Sequence, residues 1–338
     1  GTKEYTVTRL SFSFMDNKTL EKVTWPSTVT EIPFQMFSGC SSLKTVENIT
    51  KVTLIDGCAF NGCNNLIELD LGSCKIESDV FSGCSNLQSI GESAKCTSVG
   101  NSAFYNCSSL ENIDLSMCTS VGSAAFSGCS SLRSIGNPKL TSIPNYAFQN
   151  CSSLEKIDLS KCTSVGSSAF YDCSSLHTVG NPKFTSIADC AFSFCSSLES
   201  IDLSMCTSVG FSAFRGCSSI TEVDLSACKT LGYNAFWGSR ISKVSLPATL
   251  KSMGYQCFDN VREYTFNGTQ PAVLAEDNGQ PAFSGASYII RVPESAIDTY
   301  KAADVWKNYT DKIFSISDHF DYDVTTTAMD NQSGLEQT

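Results

Sequence analysis

A phenylalanine recurs at nearly constant spacing along most of this chain, and this repeat constrains the fold more than any other feature. The spacing is 23, 21 and 23 residues at first and then 22 residues seven times in succession. Such a short period is typical of solenoids, in which each coil is stable only when it stacks on its neighbours. The repeat phenylalanines are Phe37, Phe60, Phe81, Phe104, Phe126, Phe148, Phe170, Phe192, Phe214, Phe236 and Phe258, and Phe14 extends the series upstream.

Each unit repeats the same apolar positions. After Phe104 they are Leu110, Ile113, Leu115, Cys118 and Val121. This order reads L-x-x-I-x-L-x-x-C-x-x-V, the leucine-rich repeat pattern with cysteine where asparagine often stands. The stretch around Ile113 alternates like a strand, and all coils wind the same way, so the strands should pair in parallel. We predict an α/β repeat fold, a right-handed leucine-rich-repeat solenoid of about 12 coils. It has a parallel β-sheet on one face, short helical or 3-10 turns on the other, and a C-terminal cap.

The second residue after each repeat phenylalanine tolerates a left-handed backbone in every unit but one. These residues are Gly39, Gly62, Gly83, Asn106, Gly128, Asn150, Asp172, Phe194, Gly216, Gly238 and Asn260. Glycine or asparagine is the residue with which a short helical turn commonly ends. Phe194 is the exception, and we expect it to be locally strained or differently turned.

Most of the eighteen cysteines fall into two series at fixed places in the repeat. The first series lies three residues after the repeat phenylalanine: Cys40, Cys63, Cys84, Cys107, Cys129, Cys151, Cys173, Cys195 and Cys217. The second series is Cys74, Cys118, Cys162, Cys206 and Cys228, with Leu140 and Phe184 in its place in alternate units. A zinc ligand or a catalytic thiol could not be exchanged for leucine. We therefore predict free thiols that pack as small apolar groups in two core ladders.

Disulfides between adjacent coils are the alternative, because stacked strands lie about 4.8 Å apart, within the Cα range of a disulfide. Equivalent residues, however, point their Cβ atoms in parallel, whereas a disulfide prefers Cβ atoms about 3.8 Å apart. Scattered disulfides remain open for the cysteines outside the two ladders, which are Cys58, Cys96, Cys190 and Cys257. Zinc is disfavoured because there is no CxxC motif and His177 and His319 are the only histidines.

Composition and domain layout limit the partners. The chain has 338 residues and a formal net charge of −11, which argues against nucleic acid or an anionic membrane surface as partner. The chain has no run of about 18 apolar residues that could span a bilayer, so we expect no transmembrane segment.

We predict a solenoid over 1–261, a C-terminal cap over 262–317 and a polar tail or linker over 318–338. The cap is expected because the last coil of a solenoid exposes apolar core and strand edges.

An acidic stripe is the first candidate binding surface. One outward strand position carries Asp70, Asp114, Asp158, Asp202 and Asp224, with Gly91, Gly136 and Gly180 between most of them. Aspartates on alternate coils would lie about 9.6 Å apart, near the Debye length, so their repulsion is largely screened. Such a stripe would attract basic protein segments or Ca²⁺. The alternative is that these residues are solvated or make local turn hydrogen bonds.

An aromatic stripe is the second candidate. Three residues before the repeat phenylalanine most units have a small polar residue, but the late units have Phe211, Tyr233 and Tyr255, with Trp237 nearby. Stacked at one position, these rings would form the kind of apolar surface that marks an interface. The alternative is that the C-terminal cap folds back over them, and Phe34 at the same position near the other end favours it.

The sequence contains none of the common catalytic motifs. It has two histidines, no G-x-S-x-G, no glycine-rich phosphate loop and no H-E-x-x-H, so no nucleophile and base are brought together by spacing. We therefore expect a protein that is not an enzyme, without catalytic residues, metal ligands or cofactor.

The segments VGNSAFYNCSSLENIDL at 99–115 and VGSAAFSGCSSLRSI at 121–135 resemble the BspA-like (Treponema pallidum-type) leucine-rich repeat family. The resemblance runs from about 14 to 261, and 289–316 resembles the segment that closes such solenoids in surface proteins of Bacteroidetes. It implies a secreted or cell-surface protein that adheres to a protein ligand, such as host extracellular matrix or another cell surface. A structural surface-coat or spacer protein without a dedicated ligand is the alternative. No signal-like stretch is visible, so localisation rests on the resemblance alone.

Overall fold

The computed structural model describes residues 4–6, 13–91, 94–136, 138–275, 282–284 and 287–318. These residues form a parallel β-solenoid of about 13 turns with very little helix, which confirms the predicted fold. Every strand pair in these ranges is parallel, as a chain that always winds in one sense requires.

The first strand face is built from the predicted L-x-x-I-x-L segment of each coil. With strands numbered in chain order, it contains β1 (Glu4–Thr6), β2 (Lys22–Thr24), β4 (Thr45–Glu47), β13 (Lys243–Leu246), β15 (Glu263–Phe266), β17 (Ile289–Val292) and β18 (Ile313–Ser315). In the central coils single bridges continue this face, as between Asn112 and Ser134. The inward residues of the segment are buried and its outward residues are free to vary.

A second strand face lies on the segment that includes T-S-V, where no strand was predicted. It contains β3 (Glu31–Ile32), β5 (Leu54–Ile55), β6 (Ser73–Ile76), β7 (Lys95–Val99), β8 (Ser142–Ile143), β9 (Ser164–Val165), β10 (Ser186–Ile187), β11 (Ser208–Val209), β12 (Thr230–Leu231), β14 (Ser252–Met253) and β16 (Val273–Leu274). The last seven of these form one unbroken sheet. Most of these strands are only two residues long, too short for alternation to reveal them in the sequence.

The third side of each coil, the turn face, runs from three residues before the repeat phenylalanine to two residues after it. The predicted helical or 3-10 turns are absent from the described part of this face. Instead, alternate N–H groups bond to the next coil, as from Phe104 to the carbonyl of Ala125 (2.7 Å). The intervening N–H groups close tight turns within the coil, as from Tyr105 to Ser102 (3.0 Å). Left-handed residues at both ends of the segment stop any helix from propagating.

The left-handed backbone is confirmed at the ten predicted positions, where φ lies between +57° and +84°. Phe194 is not differently turned: it adopts the same backbone, with φ of +62°, which is strained for a bulky residue as expected. A second row of left-handed residues, two positions before the repeat phenylalanine, was not predicted and includes Ser102 with φ of +51°. None of these residues is glycine, so their identity carried no signal of the conformation.

The repeat phenylalanines form one continuous stack along the axis. From Phe37 to Phe258, successive ring centroids lie 5.1–5.4 Å apart and successive planes are within 24° of parallel. Each of these rings is almost completely buried. Offset stacking at this distance adds to the free energy of apolar burial, so every coil is stabilised by the coil on either side.

The cysteines are free thiols in the structure, and sixteen of the eighteen are buried. The first series forms the predicted core ladder, and each of its thiols donates to the carbonyl of the repeat phenylalanine one coil earlier, at 2.9–3.1 Å. A thiol therefore serves there as both an apolar filler and a hydrogen-bond donor. Burial raises the pKa of Cys84 to about 12, so the thiol stays protonated and unreactive.

Cys96 was wrongly placed outside the two ladders. It lies opposite Cys74 in the register of β6 and β7 and therefore belongs to the second series. Of the other three, Cys257 is buried and Cys58 and Cys190 are half-buried.

After residue 261 the strands β15, β17 and β18 continue the first strand face in parallel. They are followed or interrupted by a 3-10 turn (Glu294–Ala296), α1 (Ile297–Ala302) and a second 3-10 turn (Trp306–Tyr309). Buried Trp306 donates to the carbonyl of Ala272 (2.8 Å), which fixes this segment against the preceding coils. The division into a solenoid and a cap at 261 stays a prediction. Residues 319–338 of the predicted tail lie outside the described residues.

Removing one ring from the stack tests its contribution. We expect Phe104→Ala to lower the free energy of unfolding by about 3–5 kcal/mol, since it leaves a cavity between two rings. Tyr105→Ala, at the neighbouring exposed residue, should change it by less than about 0.5 kcal/mol. Urea unfolding followed by circular dichroism measures both. Equal effects of the two substitutions would contradict a stabilising role for the stack.

Candidate protein-binding surfaces

The aspartates of the acidic stripe make local turn hydrogen bonds on the first strand face. The Oδ1 atoms of Asp114, Asp158, Asp202 and Asp224 each accept the backbone N–H of the serine two residues on, at 2.8–3.0 Å. This is the Asx turn, in which a side chain replaces a backbone acceptor. The stripe therefore has a structural role in the loop after each strand, and one oxygen of each carboxylate remains for other contacts.

The alternation of aspartate with glycine in this stripe follows from close packing between coils. A Cβ atom placed on Gly91, Gly136 or Gly180 would lie 2.9 Å from the Oδ1 atom of the aspartate one coil earlier. These glycines also have φ of +99°, +67° and +70°, which other residues rarely adopt. Asp114, Asp158 and Asp202 recur every 44 residues, which is every second coil. Steric pairing of an aspartate with the glycine of the next coil explains this alternation.

A groove of about 540 Å³ lies on this face where two of these glycines leave space. Gly91 and Gly136 lie on either side of Asp114, and Glu111, Asn112 and Gln88 complete the polar wall. Two carboxylates without a lysine or arginine in the lining make the groove acidic. It brings one predicted site residue, Asp114, into a concave site, while the other four aspartates of the stripe lie outside it.

The aromatic stripe is largely uncovered. Phe211 is 48% exposed and Tyr233 is 42% exposed, whereas Tyr255 is half-buried. The C-terminal residues that the structure describes therefore do not cover Phe211 and Tyr233, contrary to the alternative in which the cap folds back over these rings. Large apolar side chains on neighbouring coils are left in contact with water, as expected of an interaction surface.

A second set of rings, the aromatic–arginine row, lies at the other end of the same turn segments. It consists of Tyr171, Phe194, Arg215 and Trp237 on successive coils. The edge of Tyr171 meets Phe194 with ring centroids 5.5 Å apart. The guanidinium carbon of Arg215 lies 5.5 Å from the centroid of Phe194 and 5.3 Å from that of Trp237. The cation is thus held between two aromatic rings, which fixes its orientation.

Only Trp237 of this row was predicted from the sequence as a binding residue. Repeat alignment carried a signal for the rest, because Arg215 lies 21 residues after Phe194 and 22 residues before Trp237. The departure at Phe194 from the Gly, Asn and Asp pattern was the other signal, and it pointed to the residue that lies under the guanidinium.

Phe194 combines backbone strain with exposure. A bulky residue in the left-handed region costs roughly 1–2 kcal/mol, and its ring is still 36% exposed. Strained residues are enriched at functional sites, where the strained backbone places a side chain in the position that the function needs.

Unpartnered polar atoms cluster in the same coils. In the ranges that the structure describes, the buried side-chain atoms without a hydrogen-bond partner are Ser212 Oγ, Arg215 Nε, Asn234 Oδ1 and Ser239 Oγ. All belong to the two coils that carry Phe211, Tyr233 and Trp237. Natural proteins rarely leave such groups unpaired without a reason, and this concentration distinguishes the late coils from the rest of the turn face.

Metal ligation and membrane insertion were also considered for the described residues. No group of three or more His, Cys, Asp or Glu side chains in those ranges could hold a metal ion. No helix in the described part of the chain is long and apolar enough to cross a membrane.

A parallel solenoid whose coils differ mainly at outward positions defines a repeat-type scaffold, a class that presents surfaces rather than an enclosed active site. The family profile described as BspA type leucine rich repeat region (6 copies) matches residues 10–133, 73–177 and 141–265. The chain belongs to the BspA-type leucine-rich repeat family, which confirms the resemblance. The family and fold are typically non-catalytic and imply a protein-interaction module. Origin in the Bacteroidetes stays a prediction.

Several solved structures are similar in fold. A leucine-rich repeat protein from Bacteroides ovatus is 21% identical, with 89% of this chain and 92% of that chain covered and a TM-score of 0.48. A leucine rich cell surface protein from Faecalibacterium prausnitzii is 20% identical, with coverage of 94% and 89% and a TM-score of 0.45. The leucine rich repeat protein of T. pallidum is 25% identical over 51% of this chain and 71% of that chain, with a TM-score of 0.33. No curated protein sequence matches the chain.

The Asx turns should make stability depend on acid. Hydrogen bonds from Ser160 hold the pKa of Asp158 below its usual range, and Ser116 and Ser204 do the same for Asp114 and Asp202. A lowered pKa in the folded state adds stability above the unfolded pKa of about 3.9, and this stability is lost as the pH falls through the folded value.

We therefore expect Asp158→Asn, which keeps a carbonyl acceptor but no charge, to lose less stability than the wild type between pH 5 and about pH 2.5. Urea midpoints across that range measure the difference. Glu155→Gln, at an exposed residue of the same coil, controls for general charge removal. An identical pH dependence in the wild type and Asp158→Asn would contradict the hydrogen-bond effect.

Relief of strain at Phe194 gives a second prediction. Phe194→Asn should leave the free energy of unfolding unchanged or raise it by up to about 1 kcal/mol, because asparagine tolerates the left-handed backbone. Asn150→Phe, at the equivalent position two coils earlier, should lower it by about 1–2 kcal/mol. Chemical denaturation of both variants measures these changes. If Phe194→Asn is the more destabilising of the two, ring packing outweighs strain at this position.

Proposed function

We propose that this protein is a non-enzymatic extracellular or cell-surface protein-binding module that adheres to a host or microbial surface protein. The aromatic–arginine row, together with the exposed rings of Phe211 and Tyr233, forms the main binding surface. The acidic groove around Asp114 on the first strand face is the secondary surface.

The observation that best supports this proposal is the exposure of aromatic rings around Arg215, whose side chain is held between two of them. Tryptophan, tyrosine and arginine dominate the residues that supply most of the energy of protein–protein binding. Trp237, Tyr233 and Arg215 bring all three types onto two neighbouring coils. Arg215 is already held between two rings, so little side-chain entropy is lost when a partner contacts it.

Strain at Phe194 supports the same surface. A chain selected only for stability would carry glycine or asparagine there, as ten of the eleven coils carry glycine, asparagine or aspartate. Retaining phenylalanine at a cost in stability is understandable if its ring contacts a partner.

A location outside the cell agrees with the similarity to the Faecalibacterium protein, which is a leucine rich cell surface protein. For this chain, secretion or surface display is part of the proposal, as is a host extracellular-matrix protein for its partner. The alternative is a structural surface-coat or spacer protein without a dedicated ligand.

The experiment is a binding assay against a panel of purified extracellular-matrix proteins. We expect saturable binding to at least one member, weakened about tenfold or more by Trp237→Ser or by Phe194→Asn, because each removes ring contact from the row. Tyr105→Ser, which removes an exposed ring on a distant coil, should bind like the wild type. Surface plasmon resonance with immobilised panel proteins gives the affinities.

Charge reversal at the acidic groove separates the two surfaces. Asp114→Lys should weaken binding at low ionic strength more than at high ionic strength if a basic segment of the partner lies there. Absence of binding to the whole panel, together with self-association of the protein into arrays, would contradict the proposal and favour the surface-coat alternative.

A further inference from the structure

Two buried cysteines differ from all the others in the partner of the thiol. Fourteen of the sixteen buried thiols donate to a backbone carbonyl, among them Cys118, Cys206 and Cys228 of the second series. The remaining two are Cys74 and Cys96, free thiols that lie within hydrogen-bonding reach of each other. They are 1% and 0% exposed and lie directly opposite in β6 and β7.

The strand pairing is irregular at this pair of cysteines. Cys74 pairs with Cys96, but the next residue, Lys75, pairs with Ser98, so Thr97 is an extra residue in β7. The cause is visible in the sequence, because Cys74 precedes its repeat phenylalanine by seven residues and Cys96 precedes its own by eight.

Such a bulge bends the strand and increases its twist. The parallel alignment of Cβ atoms that disfavours disulfides elsewhere in the ladders depends on a regular register, and here the register shifts directly after Cys74 and Cys96. Cys206 and Cys228, also on adjacent coils, flank a regular register between β11 and β12 and lack this distortion.

We propose that Cys74 and Cys96 are a disulfide-forming pair that closes when the chain folds in the presence of a low-molecular-weight disulfide. The Cys74 thiolate attacks one sulfur of that disulfide and releases one small thiol. The Cys96 sulfur then displaces the second small thiol from the mixed disulfide. The protein gives up two protons and two electrons, and the external disulfide takes up both as two thiols.

The electrostatics of the pair agree with this order of events. The hydrogen bond from Cys96 lowers the pKa of Cys74, whereas that bond and burial raise the pKa of Cys96 well above its usual range. Cys74 is therefore the better attacking group. Because both sulfurs are covered in the folded solenoid, the bond forms after β6 and β7 have paired and before the coils on either side close over them.

The test is to refold the reduced, urea-denatured protein in a mixture of reduced and oxidised glutathione. Remaining thiols are then alkylated in denaturant and the unreduced digest is examined by mass spectrometry. We expect sixteen alkylated cysteines and one cross-linked peptide pair, with fragmentation assigning the bond to Cys74 and Cys96. Eighteen alkylated cysteines, or a bond between any other pair, would overturn the proposal.

Thermal unfolding gives an independent readout with a matched control. Reduction should lower the melting temperature of the refolded wild type by about 5 °C, because the disulfide restricts the unfolded chain. The double variant Cys74→Ala/Cys96→Ala should show no response to reductant, whereas Cys206→Ala/Cys228→Ala should respond like the wild type. The opposite pattern would overturn the proposal. If the first variant does not fold, peptide mapping of the wild type decides alone.

Discussion

Contact between one coil and the next is the interaction on which the rest of this structure depends. A single coil of about 22 residues buries too little apolar surface to be stable by itself. Stacking removes the repeat phenylalanine from water on both faces of its ring, and the same stacking satisfies alternate N–H groups of the turn face. The cysteine three residues later satisfies the phenylalanine carbonyl of the preceding coil. Every inward position of the repeat is therefore determined by its neighbours above and below, and this leaves the outward positions free to vary.

The residues at these outward positions differ along the axis of the solenoid. In the early and middle coils the outward positions of the turn face are mostly small or polar, but the later coils carry Phe194, Phe211, Tyr233 and Trp237. Phe194 occupies a left-handed position at a cost in stability, and its ring lies under Arg215. A departure from the repeat rule that costs stability and exposes aromatic surface is the physical basis for assigning binding to this region. The acidic stripe differs, because most of its carboxylates also support the loops that join the strands.

The cysteines show how one residue type takes different roles under the same constraint. In the first series the thiol fills space and donates to a carbonyl, which neither alanine nor leucine could do. In the second series leucine or phenylalanine can replace it, since apolar volume is the main requirement there. Only where a coil is one residue shorter does the register shift and leave Cys74 and Cys96 facing each other. A one-residue change in coil length therefore alters the chemistry available to a pair of otherwise ordinary core residues.

The sequence by itself determined the solenoid, the period, the stacked phenylalanines, the first strand face and the left-handed positions after each phenylalanine. All of these repeat in every coil, so periodicity records them. Only the tertiary structure decided the second strand face, the placement of Cys96 in a ladder, the Asx turns of the aspartates and the enclosure of Arg215 by Phe194 and Trp237. These features depend on which atoms of neighbouring coils meet once the coils are stacked. That register is set by small differences in coil length and backbone conformation, which a pattern of residue types does not reveal.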